Sequence, residues 1–303
     1  MDKLSVEIAG VKFKNPVITA SGTFGFGNEY DNLYDISVLG GISCKGTTIN
    51  ERNGNPPHRI AETASGILNS VGLQNPGIEN FLNNYLPFLS QKDITVILNV
   101  AGASIDDYIA VVEKTNDSTV DMIELNISCP NVKEGGVAFG TKCESAAKIT
   151  KAVRSVCKKP LMVKLSPNVT SIADIAMAVE VEGADAVSLI NTITGMKIDI
   201  NTRRPVLKNN TGGLSGPAVL PIAVRMVHDV YKSVKIPIIG MGGISTYKDV
   251  IEMMLAGASA IQIGTAVFND PFAPVNIIHD LEKYIDEQNI KNISEITGKL
   301  ELW

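Results

Sequence analysis

The segment N-I-S-C-P-N at 126–131 sets one cysteine among amide side chains. It follows Met122-Ile123-Glu124-Leu125, which reads as a buried strand, so Cys129 falls in a polar loop just past a strand end. A thiol there is a candidate nucleophile or general base where its surroundings support the thiolate. The flanking amides are able to hold a planar polar ligand, and the N-V-K-E-G-G-V-A-F-G-T stretch that follows could close over such a site. Cys44, Cys143 and Cys157 read instead as packed small apolar residues. The four cysteines form no C-x-x-C pair, and His58, His228 and His279 are scattered, so neither a zinc nor an iron–sulfur site is expected in this chain.

Two lysines, Lys45 and Lys164, also sit at strand ends. A lysine in a strand core is costly unless paired; each could be half of a buried ion pair, but with a phosphate site alongside a cation facing an anionic cofactor or substrate is the favoured reading. Two further segments, G-M-G-G-I at 240–244 and I-G-T-A-V-F at 263–268, offer backbone N–H groups free of bulky side chains. Glycine lets a backbone approach an anion closely, and paired turns of this kind suit a phosphate.

These residues need a scaffold that brings strand ends together. Short β-rich runs at Val17–Ala20, Ile42–Lys45, Thr95–Asn99, Met122–Asn126, Leu161–Leu165, Ala186–Ile190, Pro237–Gly240 and Ala260–Ile263 alternate with helical patterns. The helical candidates are Ser104–Thr115, Cys143–Cys157, Ser171–Gly183, Pro217–Ser233, Thr246–Ala256 and Pro271–Gln288, with Ser171, Thr246 and Asp270 as N-caps. This alternation is that of an α/β protein with a parallel sheet, closed as a (β/α)8 TIM barrel. A doubly wound open sheet is the rival, and strand count and length favour the barrel. Residues 1–303 then make one barrel domain. Leu4–Lys14 reads as a small N-terminal β-hairpin turning at Ala9-Gly10 and covering the barrel bottom. The long stretches Gly46–Asn80 and Thr192–Gly216 read as functional loops over the C-terminal face.

The bulk properties narrow the function classes. The 303 residues are 45% hydrophobic and 19% charged, with a net charge of -5, an ordinary soluble globular composition. No Lys/Arg-rich run points to nucleic acid. No apolar run reaches the roughly 18 residues of a membrane span, and the N-terminus has no signal-peptide core, so a cytoplasmic location is expected.

Eight motifs in order, S-C-K-G-T-T, N-S-V-G-L-Q-N-P-G, N-I-S-C-P-N, V-K-L-S-P-N, N-T-I-T-G-M-K-I-D-I-N-T-R-R-P-V-L, G-G-L-S-G-P-A, G-M-G-G-I and I-G-T-A-V-F, resemble those of class 1 dihydroorotate dehydrogenases. The resemblance implies a barrel carrying one FMN that oxidises (S)-dihydroorotate to orotate in pyrimidine biosynthesis. It implies Cys129 as the base. It assigns the substrate to Lys45, Asn69, Ser70, Val71, Gly72, Leu73, Asn126, Asn191 and Thr192. It assigns FMN to Ser21, Lys45, Gly46, Asn99, Asn126, Lys164, Ile190, Gly216, Gly242, Gly243, Gly264 and Thr265. K-G-T-T and the long N-T-I-T-G motif look most like the NAD-linked class 1B group, whose FAD and 2Fe-2S cluster reside in a partner subunit. A homodimer, and a heterotetramer with two such electron-transfer subunits, follow from that likeness. In keeping with it, this chain's G-T-F-G-F-G has the wrong spacing for dinucleotide binding. The alternatives are a fumarate-linked class 1A enzyme, a dihydropyrimidine dehydrogenase-like FMN reductase, a flavin-free phosphate-binding barrel and a non-catalytic scaffold.

Overall fold

The computed structural model describes residues 3–128 and 137–303. Eight parallel strands close into a barrel in chain order. They are β1 (Val17–Thr19), β2 (Gly41–Ser43), β3 (Thr95–Val100), β4 (Met122–Asn126), β5 (Leu161–Lys164), β6 (Ala186–Leu189), β7 (Ile238–Met241) and β8 (Ala260–Ile263). Nearly every residue of these strands is buried, because one face packs the barrel interior and the other meets the outer helices. That double burial explains why the strands read as continuous apolar runs.

The outer helices include α1 (Ile105–Thr115), α2 (Cys143–Arg154), α3 (Ile172–Val181), α4 (Leu220–Tyr231), α5 (Tyr247–Leu255) and α6 (Ala273–Glu287). Ser104 and Asp107, and likewise Thr246 and Asp249, form reciprocal capping boxes that satisfy first-turn N–H groups. Ser171 caps α3 by accepting from Asp174 N. Asp270 does not cap α6. It follows a short helix, Ala266–Asn269, and its carboxylate accepts from Phe272 N and Asn276 Nδ2, so α6 starts later than the sequence suggests. The pattern beginning at Pro217 divides into a 3-10 turn, Pro217–Val219, and α4.

The N-terminal hairpin pairs Val6–Ile8 with Val11–Phe13. Its turn residues Ala9 and Gly10 have φ of 50° and 80°, as a tight hairpin turn requires. Lys12 O accepts from Thr95 Oγ1, and the Phe13 ring lies against Gly41. Thr95 and Gly41 begin β3 and β2, so the hairpin covers the N-terminal end of the barrel.

The two long stretches, where the sequence predicts loop, contain regular structure. Ile60–Thr63, Gly66–Asn69, Gly212–Ser215 and Ile193–Gly195 form a four-stranded antiparallel sheet. Residues inserted after β2 and after β6 thereby join into one cap, with Ala61, Leu68 and Leu207 as its own small core. The chain is also helical over 78–89, with a π-helical turn at Phe81–Tyr85. Cys44 and Cys157 are packed as expected, but Cys143 is exposed at the first position of α2, beside Thr141, Lys142 and Glu144, which are exposed as well.

Candidate active site

The strand C-termini and the cap sheet enclose one cleft. Ser21 comes from the end of β1, Lys45 and Gly46 from beyond β2, Asn99 from β3, Asn126 from β4 and Lys164 from β5. Ile190, Asn191 and Thr192 follow β6, Gly242 and Gly243 follow β7, and Gly264 and Thr265 follow β8. The cap adds Asn69, Val71, Gly72, Leu73 and Gly216. Thus residues spread from 21 to 265 line one wall. Ser70 does not join them. It is fully buried behind the wall, its N–H donating to Arg59 O at 2.7 Å and its carbonyl accepting from Asn55 Nδ2 at 3.0 Å. Cys129 lies outside the described residues.

The amides form a relay. Asn191 Nδ2 donates to Ser128 Oγ at 2.8 Å, and Ser128 Oγ donates to Asn126 Oδ1 at 2.9 Å. Asn126 Nδ2 donates to Asn99 Oδ1 at 3.1 Å, and Asn99 Nδ2 donates to Glu124 Oε2 at 2.5 Å. Each link fixes the orientation of the next amide, because an ionised carboxylate can only accept. Tyr108, reaching in from α1, donates to Asn126 O at 2.8 Å and anchors the end of β4. Behind the cap, Asn75 ties Thr48 N and Gly77 N to its Oδ1 and donates to Leu73 O, which pins the segment carrying Gly72 and Leu73. Both of those residues have left-handed backbone, with φ of 77° and 57°.

At the opposite end, Gly242 and Gly243 have φ of 123° and 81°. A side chain is strained there in any surroundings. The N–H groups of Gly242, Gly243, Gly264 and Thr265 donate to no group among the described residues. Donors of this kind, with no side chains in the way, suit phosphate oxygens.

Sequence reasoning missed Glu124 and Gln262. Glu124 is fully buried in the barrel interior and accepts from Ser43, Asn99, Ser188 and Gln262. Lys164 Nζ lies 3.9 Å from its Oε2. Burial pushes the Glu124 carboxyl up, but the Lys164 charge and the hydrogen bonds from Asn99, Ser188 and Ser43 together hold it below the usual carboxylate range. The signal was present in the sequence, since a glutamate amid the apolar residues of a central strand demands partners.

Over residues 3–285 the chain matches the family model described as dihydroorotate dehydrogenase. The chain belongs to the dihydroorotate dehydrogenase family. It is 54% identical to a Bacillus mycoides protein named dihydroorotate dehydrogenase B (NAD(+)), catalytic subunit, over 99% of this chain and 97% of that one. Identity to a Brachyspira hyodysenteriae protein of the same name is also 54%, over 100% of both chains. A Bacillus cereus protein, again so named, is 54% identical over 99% of this chain and 97% of its own.

Family membership implies a flavin, and the cleft fits one. Its walls are largely apolar, including Ile190, Met241 and Ile244, as a planar ring needs. Gln262 Oε1 is buried without a hydrogen-bond partner among the described residues, and the glycine turns leave N–H groups for an anionic tail. Among those residues no His, Cys, Asp and Glu cluster could hold a metal, and no helix is long and apolar enough to cross a membrane.

Proposed function

We propose that this chain is the FMN-bearing, dihydroorotate-oxidising subunit of an NAD+-linked enzyme, working as a homodimer with two electron-transfer subunits that hold FAD and a 2Fe-2S cluster. The observation that carries this reading is the relay from Asn191 through Ser128, Asn126 and Asn99. It presents a row of oriented amides to one cleft in a member of this family. A pyrimidine ring with its carbonyl and N–H groups is the ligand such amides match.

In this reading FMN, when bound, supplies the two-electron acceptor for the hydride from C6 of dihydroorotate. The chain's residues do the rest. Cys129 takes the C5 proton as its thiolate, and the C5–C6 double bond of orotate forms. Asn126, Asn191 and Thr192 would orient the pyrimidine ring. Asn69 and the Val71–Gly72–Leu73 backbone would meet the substrate carboxylate, with Lys45 balancing its charge. Ser70 would serve that segment from behind, through its main-chain bonds. Lys164 would sit by the ring edge where negative charge gathers on reduction. Ser21, Gly46, Asn99 and Ile190 would contact the ring or its chain. Gly216, Gly242, Gly243, Gly264 and Thr265 would hold the phosphate.

The test is anaerobic. Dihydroorotate is added to the FMN-loaded chain, then fumarate, and flavin absorbance is followed. Bleaching that persists after fumarate is the expected result. Rapid recovery would instead make the chain a self-sufficient fumarate-linked enzyme, and an absence of bleaching would overturn dihydroorotate as substrate.

A further inference from the structure

Glu124 occupies an unusual place. Its side chain gathers partners from five other barrel strands: Ser43 on β2, Asn99 on β3, Lys164 on β5, Ser188 on β6 and Gln262 on β8. Ser43 and Ser188 donate at 2.8 Å and Gln262 Nε2 at 2.9 Å. Barrel interiors are usually filled by branched aliphatic side chains. A buried ion pair can often be replaced by apolar residues with no loss of stability, so folding alone does not call for this one.

What distinguishes the network is where it leads. Asn99, Lys164 and Gln262 are at once partners of Glu124 and walls of the cleft. At 3.9 Å the Lys164 ammonium is beyond hydrogen-bond length from Glu124. The carboxylate therefore balances the cation's charge without consuming its donors. Gln262 is turned the same way, since its Nε2 must face the carboxylate, which leaves Oε1 as the end without a partner.

We propose that Glu124 is a positioning residue that sets the charge felt by the bound flavin, offsetting Lys164 and fixing the side-chain orientations of Asn99 and Gln262 at the cleft wall. The proposal rests on the FMN reading above. Its consequence is a difference between two affinities. With Glu124 in place the positive field on the reduced, anionic flavin is partly cancelled. Without the negative charge, Lys164 acts unopposed and the reduced flavin is held more tightly relative to the oxidised one.

The experiment uses full-length chain. FMN is titrated into apoprotein by fluorescence, and the two-electron potential is read against a dye. For Glu124→Gln we expect the ratio of reduced to oxidised FMN affinity to rise about tenfold, a shift of about +30 mV. Glu124→Asp keeps the charge, so its potential stays near wild type while its FMN affinity falls. The double variant Glu124→Gln/Lys164→Met exchanges the pair for two neutral groups, which keeps the test readable should the single variant fail to fold. Its ratio should lie within about threefold of wild type. A merely structural Glu124 predicts no change of ratio in Glu124→Gln, and in the double variant the full drop seen on removing Lys164 alone. Either result overturns the proposal while leaving FMN binding intact. A wild-type chain that takes up no FMN overturns the cofactor reading itself, and the proposal with it.

Discussion

Replacing Gly243 by alanine probes the phosphate end of the cleft with a cost that the backbone sets. Gly243 has φ of 81°, and a Cβ built there would come 2.7 Å from Leu220 Cβ, 2.7 Å from Leu220 N and 2.9 Å from Leu220 Cα. Leu220 opens α4, whose inner face of Ala223, Met226, Val227 and Val230 is buried, so it cannot simply slide away. A left-handed alanine costs roughly 1–2 kcal/mol, and forcing a methyl into packed surroundings costs about 1–3 kcal/mol. The sum is about 2–5 kcal/mol. With an unfolding entropy of about 2.1 cal/mol/K per residue over a chain of this length, that is a Tm lower by about 3–8 °C. Calorimetry of the apoprotein reads this term, and FMN titration should show at least a tenfold weaker complex because the turn has moved. Gly264→Ala is the control. There the Cβ would meet only Ala20 Cβ, at 3.6 Å, an ordinary contact, and no left-handed φ is involved. Its Tm should stay within about 1 °C of wild type while FMN affinity still falls. An unchanged Tm in Gly243→Ala would refute the strain argument, and unchanged FMN affinity in Gly264→Ala would remove that residue from the phosphate site.

Cys129→Ala should bind FMN normally but reduce it with dihydroorotate about 100-fold or more slowly in anaerobic stopped flow. In the wild type that rate should climb with pH as the thiol gives way to the thiolate; a flat profile argues against a thiolate base. Burial pushes the Cys44 thiol well above its ordinary range, so mass spectrometry after brief native alkylation should find exposed Cys143 modified and Cys44 untouched. Glu124 is held below the usual carboxylate range in the folded chain. Its stabilising contribution is therefore full above the unfolded-state value of about 4.3 and drains away as pH falls through the lower folded value. Urea midpoints measured downward from pH 6 should fall less steeply in that window for Glu124→Gln, and parallel curves would contradict the assignment.

Much of this architecture could be read along the chain. The barrel strands announced themselves because both faces of each are buried, which produces apolar runs such as Ile239 on β7 and Ile261 and Ile263 on β8. Helix starts at Ser104, Ser171 and Thr246 were legible because capping is a local interaction. The cap sheet was not. Its strands are short, three of the four carry glycine, and Gly213 pairs with Asn69 across 144 residues, so no local periodicity marks it.

By itself the sequence determined the alternation that closes the barrel, the glycine turns after β7 and β8, and the family. All of these are written in contiguous residues. Only the tertiary structure decided that Ser70 backs the cleft wall while its neighbours line it, that Cys143 is exposed, and that Glu124 meets Lys164 and four uncharged donors. The reason is geometric: a closed parallel barrel turns alternate residues of every strand toward one axis. Side chains as distant along the chain as Ser43 and Gln262 then share a single carboxylate, a meeting that no stretch of sequence contains.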